Sequence, residues 1–201
     1  MKEKSYSAWL CDLDGTLFRL GPARLVVAVE AVIFGAGSLS TLRRFRVEHE
    51  RLRAEKVESP NPFQTQVERT AHSLGVHPEQ VDAVVREWML RRPGKWLRLF
   101  KRRGLLAEID RYRACGGRTA LVSDYPATIK LEALGARPLF DVVVASGEPG
   151  GPTRLKPDPQ GYLLAAQRLG TEPGSCLVIG DRQDADGLAA QAAGMAFRKV
   201  E

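Results

Sequence analysis

Short apolar runs alternate along this chain with longer stretches of helical spacing. Tyr6 to Cys11 is apolar and ends abruptly in Asp12-Leu13-Asp14-Gly15-Thr16. Far downstream, Leu105, Leu106, Ile109 and Tyr112 share one side of a helix that Gly116-Gly117 terminates. Thr119 to Val122 then reads as a strand, Pro126 to Leu134 as a helix ending at Gly135, and Asp141 to Ala145 as a strand. Asp158 and Pro159 form a cap and first-turn pair for a helix that runs to Leu169 and stops at Gly170. Cys176 to Ile179 is a strand, Gly187 to Ala193 a helix of small residues, and Met195 to Val200 a last strand. Strands alternating with helices predict an α/β fold, a Rossmann-like parallel sheet with helices on both faces.

Residues 21–103 break this alternation. Ala23 to Phe34, Leu39 to Val57 and Asn61 to Leu74 all read as helices. After Pro78, the residues Val81, Val84, Val85, Trp88 and Met89 make a fourth amphipathic stripe. An all-helical domain over 21–103 is therefore expected, inserted into a core made of 1–20 and 104–201. Trp88 and Trp96 are expected in its interior, and His49, His72 and His77 at its surface or helix ends.

Composition sharpens this division. A length of 201 residues suits one core with a large insertion, and 44% hydrophobic with 27% charged residues is ordinary globular usage. From Arg19 to Arg103 the chain holds 17 Lys and Arg against 9 Asp and Glu, a net +8, while the remainder holds 13 against 15, a net −2. The overall charge of +6 thus belongs to the helical segment. The run from Arg91 to Arg103 is expected to be a solvated face, part of it overlooking a site. The stretch Leu25 to Leu39 is interrupted by Glu30, Gly35 and Gly37 and is too short to span a bilayer. No targeting segment is apparent. Cys11, Cys115 and Cys176 form neither a disulfide framework nor a zinc cluster, and are expected as buried, reduced thiols in a cytoplasmic protein.

The acids mark the chemistry. Asp12 and Asp14 follow the first strand, Ser123-Asp124 the second, and Asp181, Asp184 and Asp186 the fourth, while Lys156 lies in the loop after the third. In a parallel sheet these positions converge on one edge. Crowded carboxylates need a cation, and an oxygen-only donor set indicates Mg²⁺. A lysine and a small hydroxyl beside it make a site for a phosphate dianion.

These residues resemble, in order, the four motifs of the haloacid dehalogenase superfamily: Asp12-Leu13-Asp14-Gly15-Thr16, Leu121-Val122-Ser123-Asp124, Leu155-Lys156-Pro157-Asp158-Pro159, and Gly180-Asp181 through Asp186. The resemblance covers about 1–20 and 104–201, and the insertion matches only in position and helical character, like the alpha-helical caps of that superfamily. It implies a Mg²⁺-dependent phosphomonoester hydrolase working through an aspartyl-phosphate on a small phosphorylated substrate. Asp12 would be the nucleophile and Asp14 the general acid and base. Ser123 and Lys156 would also be catalytic, and with Thr16 would hold the phosphate. The metal would lie among Asp12, the backbone carbonyl of Asp14, Asp181 and Asp186.

Some alternatives stay open. The second acid of the metal site is Asp186 or Asp184, the latter being most simply an N-cap for the following helix. Asp124 stands where the superfamily often has Asn and is expected to point aside or cap a helix. The Gly- and Pro-rich stretch from Gly147 to Arg154 could shift Lys156. A phosphomutase would use the same intermediate. A basic module binding nucleic acid or another polyanion, built on a phosphatase-like core, is the reading from another class.

Overall fold

The computed structural model describes residues 6–35 and 37–200. Five parallel strands form one sheet in the order β3-β2-β1-β4-β5: β1 Ala8–Cys11, β2 Arg118–Ser123, β3 Val142–Ala145, β4 Cys176–Gly180 and β5 Ala196–Lys199. β1 is central, with Cys11 level with Leu121 on one side and Ile179 on the other. Being covered on both faces, the inner strands β1 and β4 are continuously apolar. Alternation sends Cys11, Leu121 and Ile179 to one face, where they pack on Leu105, Ile109 and Leu131. Leu10, Ala120 and Val178 go to the other, against Tyr162, Ala165 and Ala189. The strand order reverses around β1, so the carboxyl ends of β1, β2 and β4 open onto one crevice.

Between β1 and β2 the chain forms α1 Leu20–Phe34, α2 Ser38–Ala54, α3 Pro62–Leu74, α4 Pro78–Val85, a π-helical turn at Arg86–Arg91, α5 Gly94–Phe100 and α6 Arg103–Ala114. Helices α2 to α4 share an apolar cluster of their own, in which Phe45 meets the edge of Phe63 with centroids 5.8 Å apart. Ala23 of α1 and Leu97 of α5 join the sheet's cluster instead. The remaining helices are α7 Thr128–Leu134, α8 Gln160–Leu169 and α9 Leu188–Ala192. Among the described residues, no helix is long and apolar enough to cross a membrane.

Several expectations need correction. The stripe from Val81 to Met89 is two elements, because the π turn widens the spacing after Val85. Helix α5, inside the charge run, carried no sequence signal. α8 begins at Gln160, with Asp158 accepting from the Gln160 amide at 2.9 Å. Of the two expectations for Asp124, the cap is the one to drop: the N-terminus of α7 is held by Glu148, which accepts from Ala127 N and Thr128 N at 2.8 Å each. Cys115 is exposed, whereas Cys11 and Cys176 are buried. Trp88 is buried but Trp96 only half so, its Nε1 donating to Glu30. His72 and His77 lie at helix ends, but His49 is buried.

Candidate active site

Asp12 is the first residue past β1, and its amide donates to the Ile179 carbonyl at 2.9 Å. Its carboxylate is buried and held at both oxygens: Lys156 Nζ donates to Oδ1 at 2.6 Å and Thr16 Oγ1 to Oδ2 at 2.9 Å. Gly15 turns the chain with φ +100°, and a Cβ there would lie 2.1 Å from Asp181 Oδ2. Only glycine permits both the turn and the approach of Asp181.

Lys156 sits at the centre. Buried to 4% exposure, its Nζ donates to Asp12, to Asp186 Oδ1 at 2.8 Å and to the Val122 carbonyl at 3.0 Å. The stretch from Gly147 to Arg154 does not displace it. Burial opposes its charge, but Asp12 and Asp186 outweigh burial and raise its pKa well above the lysine range. Asp186 also accepts from Tyr162 Oη at 2.8 Å and from the Arg182 amide at 3.2 Å. Burial would raise Asp186, yet Lys156 and these hydrogen bonds hold it below the usual carboxylate range. Asp12 goes the other way. Burial, helped by Asp186 and Asp181, pushes it up to about 7 against the pull of Lys156.

Carboxylate oxygens of Asp12, Asp181 and Asp186 lie within 4.8 Å of one another. Burial and the Asp186 charge raise the Asp181 pKa. Three hard oxygen donors forced together at this electrostatic cost fit a divalent cation such as Mg²⁺. Asp184 stands apart, with its side chain 68% exposed and paired with Arg182, and it neither caps the next helix nor faces the trio.

Asp14 is placed differently from the other acids. Lys130 of α7, itself buried, donates to both its oxygens at 2.7 Å. Sequence reasoning missed Lys130, although Ala127, Lys130 and Leu134 share a helical face whose other members are buried. Ser123, at the end of β2, lines the cavity beside Lys156, and its Oγ accepts from the Tyr125 amide at 3.2 Å. The Thr16 hydroxyl is fully buried against Asp12, so it holds the carboxylate and does not face the cavity as a phosphate ligand.

A second buried network was also missed. Asp124 Oδ1 accepts from the Lys156 amide at 3.1 Å, and its Oδ2 lies 3.7 Å from Arg53 Nε and 3.8 Å from His49 Nε2. His49 stacks on Tyr125 and bonds Gln66 Oε1 at 3.1 Å. Burial keeps the His49 pKa low, although Asp124 pulls it upward. The extra carboxylate at position 124 therefore faces α2.

A cavity of about 1470 Å³ opens from Asp12, Asp14, Ser123, Lys156 and Asp181 along α2. Its cationic lining includes Arg43, Arg46 and Arg53. Arg91, Arg92 and Lys95 do not line it; Arg92 pairs with Glu87 and Lys95 with Glu30.

Solved structures share this fold. The HAD phosphatase of Thermococcus onnurineus is 17% identical, with a TM-score of 0.59 over 97% of this chain and 86% of its own. The HAD-hydrolase YfnB of Bacillus subtilis, bound to magnesium, is 16% identical, with a TM-score of 0.65 over 96% and 88%. The 2-haloacid dehalogenase of Pseudomonas syringae is 18% identical, with a TM-score of 0.64 over 96% and 85%. No curated protein matches the sequence. The family described as haloacid dehalogenase-like hydrolase matches residues 6–194. Nearly the whole described chain, with every acid of the crevice, falls within that match, and the chain belongs to the haloacid dehalogenase-like hydrolases.

Proposed function

We propose that the protein is a Mg²⁺-dependent phosphomonoester hydrolase that works through an aspartyl-phosphate on Asp12. The observation that carries this reading is the second acid, Asp14, two residues after Asp12 and held at the cavity by Lys130. Displacement at carbon by a carboxylate needs no proton donor for a halide, whereas an alkoxide leaving from phosphorus does. The magnesium-bound relative and the phosphatase relative support the same reading.

Asp12, Asp181, Asp186 and the Asp14 carbonyl would hold Mg²⁺, which when bound screens the phosphate dianion from the carboxylates and stabilises charge on the transferring group. Thr16 and Lys156 fix the Asp12 carboxylate before it attacks phosphorus, so little orientation is lost on reaction. Lys156 also presents positive charge, and Ser123 a hydroxyl, to the phosphoryl oxygens. Asp14 protonates the leaving oxygen and then takes a proton from the water that opens the aspartyl-phosphate. Its ion pair with Lys130 suits the second task; for the first, the carboxylate has to leave Lys130 carrying a proton. Tyr162 and Arg182 N keep Asp186 directed at Lys156.

In this reading residues 21–103 form a cap over the crevice and specify the substrate, a small phosphorylated molecule met in the cytoplasm. A phosphomutase would pass the same phosphoryl group to a second hydroxyl. Polyanion binding by the cap is disfavoured by its internal ion pairs, such as Arg69–Glu55 and Arg86–Asp82. Release of inorganic phosphate from a panel of phosphomonoesters, with Mg²⁺ and with chelator, tests the proposal; metal-independent turnover or none at all refutes it.

A further inference from the structure

The cavity changes character along α2. Near Lys156 it is lined by His49 and Arg53, and fourteen residues earlier by Leu39. At 1.5 Å per residue that is a span of about 21 Å. Beyond the exposed Arg43 and Arg46, the walls are Leu39 and Leu42 of α2, Leu25 and Ala28 of α1, and Trp88. Leu25 is 67% exposed and Leu39 37%, so large apolar side chains are left in water at this end. Small-molecule sites usually enclose roughly 300–1,000 Å³. A sugar phosphate at Asp12 would leave most of the about 1470 Å³ wet against apolar walls.

We infer that the substrate is an amphiphile: a phosphomonoester bearing a single long alkyl, acyl or prenyl chain. Its phosphate lies at Asp12 and Lys156, its polar junction passes Arg43 and Arg46, and its chain occupies the apolar end between α1 and α2. The inference rests on the phosphomonoesterase reading and adds the substrate class. Charge complementarity places the head, and burial of each methylene supplies affinity that a hydrophilic substrate could not gain there.

The test uses n-alkyl phosphates of four, six, eight and ten carbons, each below its micellar concentration. Hydrolysis is measured with the full chain and Mg²⁺, and binding by calorimetry with Asp12→Asn. Both kcat/KM and affinity are expected to rise by about threefold or more for each two methylenes. Leu39→Gln with Leu25→Gln should flatten both slopes; these side chains are partly to largely exposed, and Leu25→Gln alone serves as a second variant if the pair fails to fold. Hydrolysis without any chain-length dependence overturns the inference and leaves the phosphatase reading standing. Chain-dependent binding with no hydrolysis of any ester does the reverse. A slope that neither variant changes places the alkyl chain elsewhere and also overturns the inference.

Discussion

Arg53, near the end of α2, donates its Nε to the backbone carbonyl of Lys156 at 2.5 Å, across 103 residues of sequence. Asp124, bonded to the Lys156 amide, lies beside the same guanidinium. A helix of the inserted segment thereby grips the loop that carries the central lysine. Replacing Arg53 by Met should lower kcat by roughly 10- to 100-fold, because Lys156 loses its fixed position. Arg53→Lys should rescue little, since an ammonium cannot reproduce the fork that spans the carbonyl and Asp124. Steady-state kinetics on the folded variants, with circular dichroism as control, checks this.

Asp12→Asn should abolish turnover and leave the fold intact. It should also change how stability depends on pH without metal. Burial lifts the native Asp12 pKa to about 7 from an ordinary 3.8, so its protonated form favours the native state. That contribution is complete below about pH 3.8 and is lost as pH rises through about 7. Asp186, whose native pKa is lowered, works oppositely and loses its contribution in acid. In chelator, the wild type should therefore lose Tm between about pH 4 and 7, and Asp12→Asn should lose less. Parallel melting curves of the two proteins decide it.

Mg²⁺ should raise Tm, following RT ln(1 + [L]/Kd) for one native-state site. Asp181→Ala should remove most of the shift. Asp184→Ala should remove little, because that carboxylate is exposed on Arg182. A larger effect at Asp184 would reverse the assignment of the metal ligands.

Lys130→Met removes the partner of Asp14 while filling nearly the same buried volume. If Asp14 protonates the leaving group, Asp14→Asn should slow alkyl phosphates far more than nitrophenyl phosphate, whose phenolate departs without a proton, by about tenfold or more in kcat. Lys130→Met, which removes the cation paired with the Asp14 carboxylate for the shared base step, should slow both esters alike. Equal losses on both esters in Asp14→Asn would count against the assigned role.

The cationic residues along the cavity should matter where those elsewhere do not. Arg43→Gln with Arg46→Gln should lower kcat/KM several-fold and flatten its dependence on ionic strength. Neutralising Arg91, Arg92 and Lys95 together should change kcat/KM less than twofold, because they lie off the cavity. A salt series on the two combinations separates them.

The α/β alternation, the strand ends and the acids that leave them were legible in the sequence, because strand periodicity and motif spacing are local properties. Asp12, Ser123 and Asp181 had to emerge at one edge once the strands were parallel. The choice between Asp184 and Asp186 was not local. It depends on which carboxylate reaches Lys156 and Tyr162, and Asp186 does. The π turn after Val85 and helix α5 were hidden because a short helix among arginines has no apolar stripe. Thr16 pairing with Asp12, Lys130 with Asp14, and Arg53 with Lys156 are meetings of polar side chains. Except for Thr16, these partners lie a hundred or more residues apart, and burial excludes water as the alternative partner, so packing alone selects them. The apolar reach of the cavity was decided the same way: Leu39 and Leu42 read as ordinary helix residues until α1 and Trp88 line the same cavity with them.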